Sequence, residues 1–198
     1  MEKRITSRCN SSKFHQFPKV GVPRVSHPAG MTMRILGIDP GLNITGYGCV
    51  DISDDTGSDP ALVEGGVIRL DSGASMPDRL GQLHRELTGV IELLKPQRMV
   101  VEQLFSHYKH VRTAILMGHA RGVILLGAKE HGLELDEMTP TEVKKALTGN
   151  GHATKQQVQL AVMAQCGLTA LPEPSDLADA IAIGLTAGRR FQGMVGVE

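Results

Sequence analysis

The sequence predicts an α/β fold in which helices flank one mixed, five-stranded sheet. Three apolar segments rich in β-branched residues come first and are joined by short polar loops, which predicts an antiparallel meander. Further along, segments with helical periodicity alternate with shorter strand-like segments, and strands joined through a helix are natural parallel neighbours. With 198 residues and no internal repeat, the chain suits one domain.

The five predicted strands are short, apolar and bounded by turn-forming residues. The first ends at Asp39-Pro40-Gly41, a tripeptide that favours a tight turn. The second should fold back against it as a hairpin, and a polar loop over residues 51–60 separates it from the third. The predicted strands are residues 34–39, 44–50, 61–70, 98–105 and 133–138.

Five helices are predicted where apolar residues recur at a spacing of three or four. The clearest covers residues 77–94, where leucines recur on one face and Pro96 ends the helix. The last covers residues 176–192 and is apolar nearly all round, so it should be buried. The others are residues 111–130, a helix from Thr139 or Thr141 to Leu147, and a helix from Thr154 to about Cys166.

Composition limits the class of protein. Aromatic residues make up only 3% of the chain and Trp is absent, so the core must be aliphatic. The cysteines Cys9, Cys49 and Cys166 are widely spaced, and we expect reduced thiols in a cytoplasmic protein. Apolar runs stay well short of the roughly 18–20 residues that cross a bilayer, so we expect no membrane partner.

Charge divides the chain into a basic extension and an acidic body. Residues 1–33 carry six Lys or Arg and one Asp or Glu, whereas the remaining residues carry 15 and 20. We expect residues 1–33 to be disordered, with Met31 or Met33 as the true start; the alternative is an arm that binds nucleic acid. Residues 34–192 then form the domain, and residues 193–198 form a tail.

Two acidic residues stand where core strands end. Asp39 follows a buried strand, and Glu102 interrupts the fourth strand. Because the first and fourth strands are natural parallel neighbours, both carboxylates should stand side by side at one end of the sheet. The alternative for Asp39 is a residue that only starts the turn, since Asp-Pro-Gly favours turns by itself.

The last predicted helix carries two more acids. Asp179 interrupts its apolar segment, and Asp176 lies three positions earlier, so both point the same way from the helix start. Asp176 has the alternative of a helix cap or a first-turn acid. Four converging carboxylates would raise the pKa of at least one of them. Divalent cations with oxygen ligands relieve that repulsion, and two ions about 3.5–4 Å apart suit phosphodiester hydrolysis.

Five segments, in this order and at these spacings, resemble the RuvC family of Holliday junction resolvases. The resemblance covers about Met33 to Arg190. The segments are ILGIDPG at 35–41, TGYG at 45–48, VEQLF at 101–105, GHARGV at 118–123 and DLADA at 176–180.

The resemblance implies a ribonuclease-H-like fold and a Mg²⁺-dependent homodimer. Such an enzyme makes paired symmetric nicks, leaving 5′-phosphate and 3′-hydroxyl ends, in four-way DNA junctions during homologous recombination and DNA repair. Its implied partner is the RuvA–RuvB branch-migration complex. The implied cofactor is two Mg²⁺ ions per active site, with Mn²⁺ as a substitute.

The resemblance also implies residue roles. Asp39, Glu102, Asp176 and Asp179 match the metal-binding catalytic acids, although some relatives have His at the position of Asp176. Phe105 matches an aromatic residue used against junction bases, with core packing as its alternative. Lys144 and Lys155 match basic positions near the cleaved phosphate, and Lys155 could stabilise the charged transition state. For both lysines the alternative is a solvated residue at a helix end.

Other interpretations remain open. An ATP-binding protein of the actin or sugar-kinase type also opens with a strand, an Asp and a Gly turn, but it needs two such domains. A related ribonuclease-H-like nuclease, or a weakly catalytic junction-binding module, is also compatible with the motifs. Gly118 and Gly122 could lie in a dimer interface or could serve internal packing. The stretch 106–110 is richer in His and Tyr than in many members of the family, which leaves the base contacts open.

Overall fold

The computed structural model describes residues 31–53, 57–104 and 111–192. Within this part of the chain, five strands form one mixed sheet in the order β3-β2-β1-β4-β5. The strands are β1 (Met31–Asp39), β2 (Ile44–Ser53), β3 (Ala61–Arg69), β4 (Arg98–Glu102) and β5 (Glu134–Met138). The first three form the predicted antiparallel meander, and β4 pairs in parallel with β1 and with β5.

Helices cover both faces of this sheet, as predicted. Two of them pack together over one face, and the other three cover the opposite face. Three helices have an identified N-cap residue, which is Ser75, Thr139 and Thr154 in chain order. In each case the side-chain hydroxyl accepts a hydrogen bond from a backbone amide of the first turn. The helices are α1 (Met76–Leu94), α2 (Val111–Glu130), α3 (Pro140–Thr148), α4 (Lys155–Gln165) and α5 (Ser175–Gln192).

The alternation of side chains along β1 decides which residues face which helices. Leu36 and Ile38 are fully buried against the α1–α2 layer. Ile35 is buried on the opposite side, and Gly37 lies directly under α5. Asp39 has the same parity as Ile35 and Gly37, so the pleat directs its side chain to the α5 side of the sheet.

Glycines let α5 lie unusually close to the sheet. A methyl group at Gly37 would come within 2.5 Å of the backbone of Ala180 and Gly184, and one at Gly48 within 2.6 Å of Ile181 Cα. At the end of the sheet, a methyl group at Gly46 would meet the carbonyl oxygen of Asp176 at 2.0 Å. Because β2 and β1 present bare backbone to α5, the start of this helix is fixed next to the end of β1.

Three strand boundaries differ from those expected. β1 begins at Met31, so residues 31–33 are strand and do not belong to the predicted disordered extension; they pair with the end of β2. For the same reason β2 continues to Ser53, into the stretch expected to be loop. β4 ends at Glu102, because strand pairing ends there. The last pair with β1 is Val101 with Ile38, and the last pair with β5 is Glu102 with Met138.

The described cysteines are free thiols, as expected. Burial raises the pKa of Cys49, which lies in the core beneath α1 and α2, and raises that of Cys166 to about 11. Among the helices in residues 31–53, 57–104 and 111–192, none has both the length and the apolar character needed to cross a membrane.

Candidate active site

Asp39 and Glu102 stand side by side, as the strand order predicted. The parallel register pairs Ile38 of β1 with Val101 of β4, so the next residue on each strand lies at the same end of the sheet. Val100 is buried on the α5 side of the sheet, and Glu102 shares its parity. Both carboxylates therefore project toward the same helix layer, and the charge of Glu102 raises the pKa of Asp39.

The first turns of α5 bring the other two acids to the same place. Asp176 lies in the first turn, where the helix dipole also favours a negative charge, and Asp179 follows three residues later. Both are partly buried. Their charges raise the pKa of Asp39, so the structure brings all four predicted acids into one electrostatically coupled cluster.

Burial and mutual repulsion make this an unfavourable place for negative charge. Burial, then Glu102, Asp179 and Asp176, raise the pKa of Asp39 to about 8. Burial and the charge of Asp179 raise the pKa of Glu102 to about 7, and burial also raises the pKa of Asp179. Within the described residues, no group donates a hydrogen bond to the carboxylates of Asp39, Glu102 or Asp179. The expectation of a raised pKa is confirmed.

Two lysines partly balance this charge. Lys155 is the first residue of α4, and its charge lowers the pKa values of Asp39, Glu102 and Asp179. Lys144 lies on α3 and acts on Glu102 and Asp179 in the same sense. Both predicted basic residues therefore lie at the rim of the acidic cluster. Lys155 Nζ donates a hydrogen bond to Ser175 Oγ at 3.1 Å.

The four acids suit a divalent cation that also takes water and phosphate ligands, rather than a metal held by protein side chains alone. In residues 31–53, 57–104 and 111–192, no three His, Cys, Asp or Glu side chains are arranged closely enough to hold a metal ion as they stand. Mg²⁺ does not need such a cage, because it is usually held by one or two carboxylates together with water and phosphate oxygens. The carboxylates of Asp39 and Glu102 fit that mode of binding. They are partly buried, they repel the neighbouring acids, and they accept no hydrogen bond from the described residues.

The turn after Asp39 is held by contacts that the sequence did not indicate. Thr45 is buried, and its hydroxyl donates to the carbonyl of Gly41 at 3.2 Å. Arg79 of α1 donates to the carbonyl of Leu42. These contacts connect the turn that follows the first acid to both β2 and α1.

Some predicted residues lie outside the described part of the chain. Phe105 is one of them, as is the His- and Tyr-rich stretch 106–110. Conversely, sequence reasoning missed Ser175, which directly precedes the predicted last helix. Its position directly before Asp176 was the available signal, but its contact with Lys155 depends on how α4 and α5 pack together.

The fold and the acidic cluster define the class of protein: a ribonuclease-H-like nuclease. Comparison with known proteins is more specific. The family described as crossover junction endodeoxyribonuclease RuvC matches residues 35–187. The chain belongs to the RuvC family.

Individual relatives agree with this assignment. A crossover junction endodeoxyribonuclease RuvC from Rhodopirellula baltica is 48% identical over 166 residues, which cover 84% of this chain and 92% of the relative. The solved structure of Thermus thermophilus RuvC in complex with Holliday junction substrate is 34% identical, with a TM-score of 0.74. That similarity covers 83% of this chain and 98% of the solved chain. The yeast mitochondrial resolvase Ydc2, at 16% identity and a TM-score of 0.58, shares the fold.

Proposed function

We propose that this protein is a structure-selective endonuclease that resolves Holliday junctions in homologous recombination and DNA repair. It hydrolyses phosphodiesters in two strands symmetrically and leaves 5′-phosphate and 3′-hydroxyl ends. Membership of the RuvC family supports this substrate class. The observation that carries the proposal is the meeting of acids from β1, β4 and α5 at one end of the sheet, with two lysines at the rim.

In this proposal Asp39, Glu102, Asp176 and Asp179 are the catalytic acids and hold two Mg²⁺ ions, with Mn²⁺ as a substitute. Bound ions would supply an activated water and stabilise the leaving oxygen. The acids position this chemistry on the α5 side of the sheet, where all four of them are partly buried. Repulsion among them is the physical reason for cation binding, because positive charge relieves it.

The lysines act on the phosphate. Lys155 is the catalytic cation of the proposal, because an ammonium group at the edge of the acidic cluster can stabilise charge that develops on the phosphate oxygens. Lys144 contributes to DNA binding from α3 and reduces the repulsion between the acidic cluster and the DNA backbone. Phe105, three residues beyond Glu102, is proposed to stack on a junction base.

The enzyme is proposed to act as a homodimer through the exposed face of α2. Ile115 and Leu126 on this face are 58% and 53% exposed, and apolar side chains exposed together on one surface are a feature of protein interfaces. Gly118 and Gly122 lie between them on the same face. Among the described residues, a methyl group at either glycine would meet nothing within 4 Å, so these residues give no support to internal packing. Exposed glycines between apolar residues let a second copy of α2 approach closely.

Two further assignments complete the proposal. The RuvA–RuvB branch-migration complex is the expected partner, because the chain belongs to the RuvC family and the family resemblance implies this partner. The cytoplasm is the expected location, because the described cysteines are free thiols and the proposed substrate is cellular DNA.

Replacing Asp39 by Asn tests the catalytic assignment. Asn keeps the shape of the side chain but weakens cation binding, so we expect cleavage of a synthetic four-way junction in Mg²⁺ to fall by about a thousandfold or more. Junction binding should remain within about twofold, because phosphate contacts by the lysines do not depend on this carboxylate. Cleavage rate and binding are measured on the same DNA, with and without chelator.

Asp71→Asn is the matched control, because Asp71 is an exposed acid in the loop before α1. It should cleave at the wild-type rate. Duplex, flap and RNA substrates of equal length distinguish a junction resolvase from a general nuclease. Cleavage by Asp39→Asn near the wild-type rate in Mg²⁺ would refute the catalytic assignment, and wild-type protein that binds the junction without cutting it would be a binding module.

A further inference from the structure

Lys155 is held at the site in an unusual way. Its ammonium group lies close enough to three acids to affect their pKa values, yet among the described residues it forms no ion pair with any carboxylate. Its hydrogen-bond partner is Ser175, whose hydroxyl accepts from Nζ at 3.1 Å. An ammonium group has three N–H donors, so this contact leaves two of them for a ligand.

We propose that Ser175 is a positioning residue that holds the Lys155 ammonium group beside the cleaved phosphate. The inference rests on the proposed function, and it adds a residue that has no part in cation binding. Ser175 is suited to this role because it is the first residue of α5, immediately before Asp176. The start of α5 thus positions both the acid Asp176 and, through Ser175, the ammonium group of Lys155.

The physical benefit is preorganisation. Lys155 is exposed, and a solvated lysine side chain samples many rotamers, which must be lost before it can contact a phosphate. A neutral hydroxyl restricts the side chain without neutralising it. A carboxylate partner would instead pair with the ammonium group and compete with the phosphate. Ser175 therefore restrains the Lys155 side chain and leaves its other two N–H donors available to a ligand.

The backbone on both sides of this contact is itself well supported. Thr154 caps α4 through a reciprocal pair of hydrogen bonds with Gln157, which fixes the residue that carries the lysine. On the other side, α5 is set by its close approach to Gly46. The hydrogen bond therefore joins two helix starts that other contacts also hold, and its removal should free the side chain of Lys155 without moving either helix.

A double-mutant cycle tests the proposal by single-turnover cleavage of a four-way junction under saturating enzyme. Ser175→Ala should lower the cleavage rate by about three- to tenfold, the range expected for one hydrogen bond, with junction affinity unchanged. Ser175→Thr, which keeps the hydroxyl, should restore most of the rate. In a Lys155→Ala background, Ser175→Ala should have no further effect, because the group that it positions is gone.

Ser72→Ala, in an exposed loop, is the control and should cleave at the wild-type rate. A Ser175→Ala variant at the wild-type rate, or one whose effect is undiminished in the Lys155→Ala background, would overturn the proposal. A readout that needs no activity is NMR of the lysine ammonium groups. Hydrogen bonding to Ser175 should slow proton exchange at Lys155, and Ser175→Ala should remove that protection. Absence of protection in the wild type would count against the inference, whether or not the protein cuts junctions.

Discussion

Asp39 illustrates how a functional site departs from what would stabilise the fold. Its carboxyl is partly buried, is repelled by three other acids, and receives no hydrogen bond from the described residues. A residue chosen for stability alone would be neutral at this position. Repulsion from the other acids makes a charge on Asp39 unfavourable for stability. The same repulsion would favour binding of a cation, so stability and function are opposed at this residue.

The raised pKa of Asp39 predicts a pH-dependent stability difference between the wild type and Asp39→Asn in chelator. The pKa rises from 3.8 to about 8 on folding, so the stability contributed by the protonated carboxyl is present below pH 4 and is lost as the pH rises to about 8. Asn has no charge to repel. By pH 8 the variant should melt higher by about 2–8 °C, corresponding to about 1–2 kcal/mol.

The measurement is thermal unfolding of both proteins at pH 5 and pH 8, with exposed Asp71→Asn as the control. The difference should be smaller at pH 5 and should shrink at pH 8 when Mg²⁺ is added, because only the wild type gains from tight cation binding. If the melting-temperature difference between the two proteins were equal at both pH values, folding would not raise the pKa of Asp39.

At the scale of elements, the position of α5 depends on glycines in the sheet. This helix carries Asp176 and Asp179, and its first turn lies against Gly46 of β2. Apolar burial holds α5 in the core. Its distance from the sheet is set by the glycines beneath it, because they have no side chains to hold it further away. The acids on α5 reach those on β1 and β4 only because this distance is small.

Gly46→Ala should therefore damage both stability and catalysis. The new methyl group would lie 2.0 Å from the carbonyl oxygen of Asp176 and 2.6 Å from its carbonyl carbon, both of them backbone atoms. Because backbone cannot rotate away, the start of α5 must shift, at a cost of about 1–3 kcal/mol. We expect a lower melting temperature and, at temperatures where the variant is folded, junction cleavage reduced at least about tenfold.

Gly81→Ala is the matched control on α1. There a methyl group would meet only the guanidinium end of Arg85, at 3.3 Å, and this flexible side chain can move. Alanine favours helix over glycine by roughly 0.5–1 kcal/mol, so this variant should be at least as stable as the wild type and fully active. Equal behaviour of the two variants would show that the distance of α5 from the sheet is not set by Gly46.

These elements also show what could be read from the sequence. The neighbouring positions of Asp39 and Glu102 followed from strand order, and the burial of α5 followed from its apolar composition. The close contact at Gly46 could not be predicted, because a glycine has no side chain to indicate which face it lies on. The contact between Lys155 and Ser175 joins residues 20 positions apart and depends on helix packing that periodicity does not encode.

At the scale of the whole molecule, α2 faces in two directions. Ala120, Ile124 and Ala128 are buried against the core that lies under α1, whereas Ile115 and Leu126 are exposed on the opposite side. Periodicity could not separate these faces, because both of them carry large apolar side chains. The helix is also tied to the sheet edge by an ion pair between Arg121 and Glu137. The exposed face is therefore presented on a well-anchored helix.

Leu126→Asp should separate the proposed dimer and uncouple its two cuts. The described part of one chain forms one such cluster of catalytic acids, so paired symmetric nicks are expected to need two copies arranged about a two-fold axis. A charge in the centre of an apolar interface is left unpaired, so light scattering at micromolar concentration should show a dimer for the wild type and a monomer for the variant. On a supercoiled plasmid that extrudes a four-way junction, the wild type should give mainly linear product and the variant mainly nicked circles.

The control must add the same charge to a leucine that is at least as exposed but lies on another surface. Leu93 on α1 is 66% exposed, so Leu93→Asp should remain a dimer and give linear product. A monomeric wild type would contradict the dimer itself, whereas a dimeric Leu126→Asp that still linearises the plasmid would place the interface elsewhere. Because each acidic cluster can cut only the strand that reaches it, the ratio of linear to nicked product measures whether two clusters are held together on one junction.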